Sequence, residues 1–336
     1  MRPPRNYFDQ SFQRDAGMLS RVADSLYWMS RYLERAEHTA RLVDVELQLW
    51  LDESLDAGAG RWRFLQDALQ VRLPESGPSI ATNPVHVLAF SRTNHSSILS
   101  SIAAARENLR HVREQCSSEM WEQLNRLYLD MIKSGSDERH AINSHEFFQS
   151  VQDGAHLFQG ITDATMSHGE GWQYIQLGRY VERTDTLACL IAKHFERFPA
   201  PPEQSVESAE YLEWIGLLRG CGAFEAYCKT HTAEISPLRI SEFLLLNPEF
   251  PHSVRFAVER VNAALHVIGE LTERRAKLPT RIAGRLRAQL SFTQIEEIVA
   301  QGAHGYLASI RSECGRIHTA IHQIYFDYLV ESELIA

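Results

Sequence analysis

One heptapeptide occurs twice in this 336-residue chain. Arg31-Tyr32-Leu33-Glu34-Arg35-Ala36-Glu37 returns as Arg179-Tyr180-Val181-Glu182-Arg183-Thr184-Asp185, an offset of 148 residues between the Glu-Arg pairs. Every polar position keeps its chemical type, and Ala40 and Leu42 reappear as Ala188 and Leu190. A repeat at nearly half the chain length predicts a duplicated unit whose copies pack on each other, so that any site is built from both halves.

The repeated segment sits on a helical pattern. Leu26, Met29, Leu33, Ala36, Ala40 and Val43 recur at steps of three and four, the spacing of one helix face. The pattern predicts a helix from about Met18 to Leu51, ended by a turn at Gly58 to Gly60 and followed by a proline-punctuated loop. Three more helical patterns follow before a second marked helix from about Gly171 to Phe198. Val254, Val258, Val261, Leu265 and Ile268 repeat the pattern of Ile98 to Val112, with Ser253 standing where Ser97 stood. A last helix is expected from about Thr293 to Tyr328, carrying glycines at 302, 305 and 315. Strand signals are nearly absent. The expected fold is all-α, a duplicated antiparallel helical bundle with pseudo-two-fold symmetry.

Prolines and composition divide the chain. Residues 1–17 lack periodicity and read as an N-terminal extension; 18–197 form a first half that includes the second Glu-Arg helix. A Pro-rich linker spans 198–206, and 207–336 form the second helical half. A formal charge of −9 would repel a phosphate backbone, so nucleic acid is not an expected partner. No apolar run approaches the roughly 18 to 20 residues of a membrane span, and none follows Arg2 and Arg5 as a secretory signal requires. No membrane association and a cytoplasmic location are therefore expected. Five cysteines without a Cys-x-x-Cys indicate neither a disulfide framework nor a thiolate metal site.

Adjacent helical residues point about 100° apart, so Glu34 and Arg35 cannot pair with each other and must find partners elsewhere. Residues three and four apart place Arg31, Glu34, His38 and Arg41 on one polar stripe that begins at Tyr27. In the second copy the stripe is Arg179, Glu182, Thr186 and Cys189, with Arg183 and Asp185 beside it. Two readings follow. In the structural one, the two helices cross and each Glu accepts a bidentate bond from the other copy's Arg. In the functional one, the guanidinium forks of Arg31, Arg35, Arg179 and Arg183 hold a carboxylate or phosphate, which admits a carboxylate-bearing ligand as partner, with Glu34 or Glu182 as base or amine ligand.

At these residues the chain resembles the Alpha-E domain family, bacterial α-helical proteins of unknown function named for a Glu-Arg motif that occurs in tandem. The stretch from Met18 through Tyr27-Trp28-Met29-Ser30-Arg31-Tyr32-Leu33-Glu34-Arg35 to Arg41 resembles the start of that family. So do Ala105-Arg106-Glu107-Asn108-Leu109-Arg110 with Trp121 and Asn125, and Gly171 through Asp185. The resemblance covers about residues 18 to 330. It implies a peptide synthesis or modification system containing circularly permuted ATP-grasp ligases, a transglutaminase-like protease and an N-terminal-nucleophile-type peptidase. Thr186 and Cys189, standing where the first copy has His38 and Arg41, favour one asymmetric site or none over two equivalent ones.

Elsewhere the signals are thinner. His318 and His322 have the one-turn spacing of two metal ligands, but no Glu follows His318 and no third ligand is evident, so no metal is expected. Arg106, Glu107 and Asn108 form a polar cluster that is either a solvated face or a partner-binding surface. No nucleophile elbow, phosphate loop or dinucleotide fingerprint is present, so no cofactor is expected and catalytic residues cannot be named. The expected function is a non-catalytic helical partner of an ATP-grasp-type amide or peptide ligase, positioning a peptide or amino-acid substrate. An enzyme of amide formation or transfer that uses the Glu/Arg cluster, and a purely structural scaffold, are the alternatives.

Overall fold

A computed structural model describes residues 18–51, 58–72, 83–135, 145–198, 208–231, 235–272 and 277–326. The N-terminal extension lies outside the described residues, as does the Pro-rich linker apart from Phe198. The fold is all-α. In chain order the helices are α1 (Ser20–Leu51), α2 (Gly58–Ala68), α3 (Pro84–Ala89), α4 (Ile98–His111), α5 (Ser118–Ser134), α6 (His145–Thr165) and α7 (Glu170–Arg197). Then come α8 (Ser208–Gly220), α9 (Phe224–His231), α10 (Pro237–Leu246), α11 (Val254–Leu271), α12 (Lys277–Phe292), α13 (Ile295–Gln301) and α14 (Ala303–Ile321).

The two marked helices, α1 and α7, pack against each other at the centre. Leu26, Met29, Leu33, Ala36, Ala40 and Val43 are all buried, as their spacing predicts. So are Tyr27, Glu34, Glu37 and His38, because α4, α6 and α7 together enclose α1 on several sides. In α7 every residue from Gln173 to Thr184 is buried. The stripe that reads as polar in sequence thus faces the interior, where each charge needs a partner.

The backbones approach most closely at Gly178, where a Cβ would stand 2.2 Å from the Tyr27 carbonyl oxygen. Ser30 stands at the matching position of the first copy and lies 3.2 Å from that same point. Contacts run in step from there. The Met18 backbone N–H donates to Glu170, Tyr27 meets Gly178, and Glu34 meets Arg183, so α1 and α7 run in the same direction. Antiparallel packing, expected throughout, does hold for the flanking helices. Glu34, Glu37 and Asp44 meet Gln159, His156 and His145 of α6 in reverse order, and Asp185 and Glu196 meet Arg311 and His304 of α14 likewise. In this parallel arrangement Glu34 reaches Arg183 and Glu182 reaches Arg35, so each motif carboxylate finds its counter-charge on the other helix.

The order of neighbours recurs along the chain. α4 lies on α1 and is followed by α5 and α6; α11 lies on α7 and is followed by α12 and α14. Ser97 and Ser253 cap α4 and α11 in the same way, each side-chain oxygen accepting a backbone N–H three residues on. The long final helix is divided. Gly302, at φ +92°, separates α13 from α14, and a π-helical turn follows at His322–Phe326. The turn expected at Gly58 to Gly60 instead opens α2.

Candidate functional site

Two ion-pair sets join α1 to α7. Arg183 closes a fork on Glu34, with Nε donating to Oε1 at 2.5 Å and Nη2 to Oε2 at 2.9 Å. Its remaining nitrogen, Nη1, donates to the Pro251 carbonyl at 3.0 Å, and Gln159 donates to Glu34 Oε2 at 3.4 Å. Glu182 is held differently. Arg35 Nε donates to Oε1 at 2.6 Å, and Arg31 Nε donates to Oε2 at 2.7 Å. Burial alone would raise the Glu182 carboxyl, but Arg31 and Arg35 outweigh it and hold its pKa below the ordinary range. Burial opposes charge on Arg183, and Glu34 overrides that to keep the guanidinium protonated.

Arg31 lies deeper than its place on a polar stripe suggests, its side chain 11% exposed against 25% for Arg35. It packs over the Trp28 ring and donates to Nδ1 of His318 at 3.1 Å. A guanidinium can only donate, so that nitrogen accepts and the imidazole is neutral with its proton on Nε2. The Tyr27 hydroxyl lies 2.9 Å from the same Nδ1 and donates to it. Burial, followed by the nearby Arg31, pushes the His318 pKa down to about 4. The histidines at 318 and 322 therefore belong to an aromatic and hydrogen-bonded wall with Tyr27 and Trp28. Among the described residues, no group of three or more His, Cys, Asp and Glu could hold a metal ion.

The arrangement is unequal between copies. Arg183 occupies both oxygens of Glu34, which leaves Arg179, the counterpart of Arg31, with Gln176 at 3.5 Å and no carboxylate within ion-pair distance among the described residues. Burial, with repulsion from Arg183, lowers the Arg179 pKa. Arg41 pairs with Glu37, which burial would raise but Arg41 holds well below its usual range; His156 stands beside them. Asp185 accepts from Arg311 at 3.0 Å. Six guanidiniums (Arg31, Arg35, Arg41, Arg179, Arg183, Arg311) thus meet four carboxylates (Glu34, Glu37, Glu182, Asp185), so the cluster keeps a positive excess inside an acidic protein.

A cleft of about 250 Å³ opens beside this cluster. Arg35, His38 and Thr39 from α1, Glu182, Asp185 and Thr186 from α7, Gln70 after α2 and Ser96 before α4 supply its polar lining. His38 is buried, its Nε2 has no hydrogen-bond partner among the described residues, and burial lowers its pKa.

The structure therefore gathers Tyr27, Arg31, Glu34, Arg35, His38, Arg41, Arg179, Glu182, Arg183 and Asp185 around the α1–α7 junction. Arg106, Glu107 and Asn108 lie apart from it on α4, with Arg106 facing α5. Arg106 donates to Asn125 at 2.8 Å and packs over Trp121 and Tyr128, Glu107 bridges Arg106 and Arg110, and Asn108 donates to the Ala104 carbonyl. Asp163 accepts from Trp172, and His168 stacks on that ring.

Sequence reasoning missed His318, Pro251 and Gln159 as partners, since nothing local marks a residue 68 to 287 positions away. It also missed a second buried set, Arg61 with Glu46 and Glu213 at 2.9 Å each. A signal existed: Arg61 shares a helix face with Leu65 and Ala68, which puts a guanidinium on the core side of α2.

Residues 18–326 match a family described as a predicted α-helical domain with a conserved ER motif, Alpha-E. The chain belongs to the Alpha-E family. Its two Glu-Arg pairs, Glu34-Arg35 and Glu182-Arg183, are the reciprocally bonded residues at the centre of this Alpha-E fold. It is also similar to the uncharacterized proteins Rv2567 of Mycobacterium tuberculosis and Mb2597 of Mycobacterium bovis, each 23% identical over 94% of this chain. The match spans 37% of the length of those relatives. No solved structure matches. Among the described residues, no helix is long and apolar enough to cross a membrane.

Proposed function

We propose that this Alpha-E chain is a non-catalytic helical component of a peptide modification system, a partner of a circularly permuted ATP-grasp ligase and a transglutaminase-like protein. In this reading it positions a peptide or amino-acid substrate. The supporting observation is that both motif carboxylates are committed. Glu34 accepts two bonds from Arg183, and Glu182 accepts from Arg31 and Arg35. A general base needs a free lone pair and a pKa near the working pH, whereas Glu182 is held below the carboxylate range. The Glu-Arg pairs thus act as a fastener between α1 and α7, and the positive excess beside them suits an anionic group of a substrate.

Co-purification of the chain with an ATP-grasp ligase, and ligase turnover with and without it, test the reading. Ligase turnover should rise when the chain is added. If the isolated chain consumes ATP or transfers acyl groups, the partner reading fails and an amide-forming enzyme replaces it. The same committed carboxylates also favour a purely structural scaffold, which predicts association with the ligase and no effect on its turnover.

A further inference from the structure

The two motif arginines differ in how their forks are completed. Arg183, with its side chain 6% exposed, uses Nε and Nη2 on Glu34 and Nη1 on the Pro251 carbonyl. Arg35, 25% exposed, uses only Nε on Glu182, and its Nη1 and Nη2 donate to no described residue. The residue that stands at the Pro251 position of the first copy, by the offset relating Ser97 to Ser253, is His95, and it makes no bond to Arg35. One copy therefore shows what completes the fork; the other presents it to the cleft.

The geometry points to the Arg35 cleft as a binding site for a small molecule that carries both a carboxylate and an amine, an amino acid or the end of a short peptide. This rests on the substrate-positioning reading above and names the substrate's place and chemistry. The terminal nitrogens of Arg35 offer a planar pair of donors suited to a carboxylate. His38 lies alongside in the cleft wall, its buried Nε2 without a hydrogen-bond partner among the described residues. The opposite wall is acidic. Asp185 gives one oxygen to Arg311 and leaves the other without a bond among the described residues, and the Thr186 hydroxyl donates to its own helix backbone, so its lone pairs can accept an ammonium proton. A phosphate dianion would meet Asp185 and Glu182 at close range, which disfavours it. A zwitterion satisfies both walls.

Calorimetry on the full chain tests this with dialanine, N-acetyl-dialanine, dialanine amide and inorganic phosphate. Dialanine should bind, with an affinity that falls as salt rises. Blocking its carboxylate or its amine should weaken binding about tenfold or more, each loss being worth at least one charge-assisted bond. Arg35→Gln should lose dialanine binding, and Thr186→Phe, which blocks the cleft while leaving both ion-pair sets intact, should do the same with the fold preserved in thermal melts. Asp185→Asn should weaken dialanine but not its N-acetyl form. No heat at about 10 mM dialanine, a millimolar concentration that reads even the weakest specific site, would overturn the proposal. So would tighter binding of phosphate, or unchanged binding in a folded Thr186→Phe. Stimulation of the ligase by a chain that binds no dialanine would sink this site and leave the partner reading standing; dialanine binding without ligase stimulation would do the reverse.

Discussion

Arg183→Met is the sharpest test of the central fastener. The substitution keeps most of the aliphatic stem and removes the charge from a side chain that is 6% exposed, stranding Glu34 at 3% exposure. Among the described residues the only other side-chain donor to Glu34 is Gln159 at 3.4 Å, too long to compensate for a lost guanidinium. Removing one partner of a buried pair costs about 3 to 5 kcal/mol, because the other charge stays desolvated. Arg35→Ala is the built-in contrast. Its side chain is 25% exposed and Glu182 keeps Arg31 at 2.7 Å, so the expected loss is about 1 kcal/mol.

Urea unfolding followed by circular dichroism reads both variants, with the slope checked for constancy so that a midpoint shift can be taken as stability. The double variant Arg183→Met with Glu34→Leu completes the cycle. Replacing both charges by apolar groups removes the stranded carboxylate, so the pair should recover about 2 to 3 kcal/mol relative to the sum of the single losses. Recovery should be incomplete, since Arg179 loses Glu34 as its long-range counter-charge. A loss below about 1 kcal/mol for Arg183→Met, or strict additivity in the cycle, would refute a buried and mutually dependent pair.

Gly178→Ala should destabilise the protein by about 1 to 3 kcal/mol in thermal unfolding, because its Cβ would stand 2.2 Å from the Tyr27 carbonyl oxygen and force α1 and α7 apart; a neutral result would mean the helices do not cross that closely. His194, packed between Trp214 and Phe198, has its pKa pushed by burial from 6.5 down to about 3. The unfolded chain therefore binds the extra proton first, so stability is full above pH 6.5 and falls by roughly 3 kcal/mol as pH drops to about 4.5; nuclear magnetic resonance titration of a His194 that charges near 6.5 would defeat this. Glu46 carries the opposite sign. Burial lifts its pKa from 4.5 to about 7 despite Arg61, so the folded state keeps the proton and stability is lost as pH rises through that window, by up to roughly 3 kcal/mol. Glu46→Gln should abolish this loss in pH-dependent urea midpoints, and an unchanged profile would count against it.

Much of this fold was legible because apolar residues at helical spacing report burial directly. Leu26 through Val43 and Val254 through Ile268 took their predicted places, and Ser97 and Ser253, matched in sequence, proved to cap their helices alike. Direction was not legible. Periodicity is blind to whether two helices run the same way, so the parallel α1–α7 pair emerged only from contacts such as Met18 with Glu170 and Glu34 with Arg183. Burial of polar groups was also hidden. Glu34 and His38 read as a polar stripe because a sequence shows one helix at a time, and only the enclosure by α4, α6 and α7 turns that stripe inward. The repeat itself correctly marked the residues that meet, since two like helices with the same charges can satisfy each other.

The asymmetry between copies is the observation on which the ligand proposal rests. A pair of helices held by two identical forks would be complete and would have no reason to keep a further arginine. Here the second copy spends both oxygens of Glu34 on Arg183 and closes that fork with the Pro251 carbonyl, while the first divides Glu182 between Arg31 and Arg35. The division frees two nitrogens of Arg35 and places them beside His38, where the second copy has only Thr186. Structural need accounts for one closed fork and one shared carboxylate. It does not account for a guanidinium, an imidazole without a hydrogen-bond partner and a half-used Asp185 around one cleft. Duplication supplies the strength of the junction, and divergence between its two ends leaves Arg35 and Asp185 incompletely bonded among the described residues, the feature that the proposed ligand would complete.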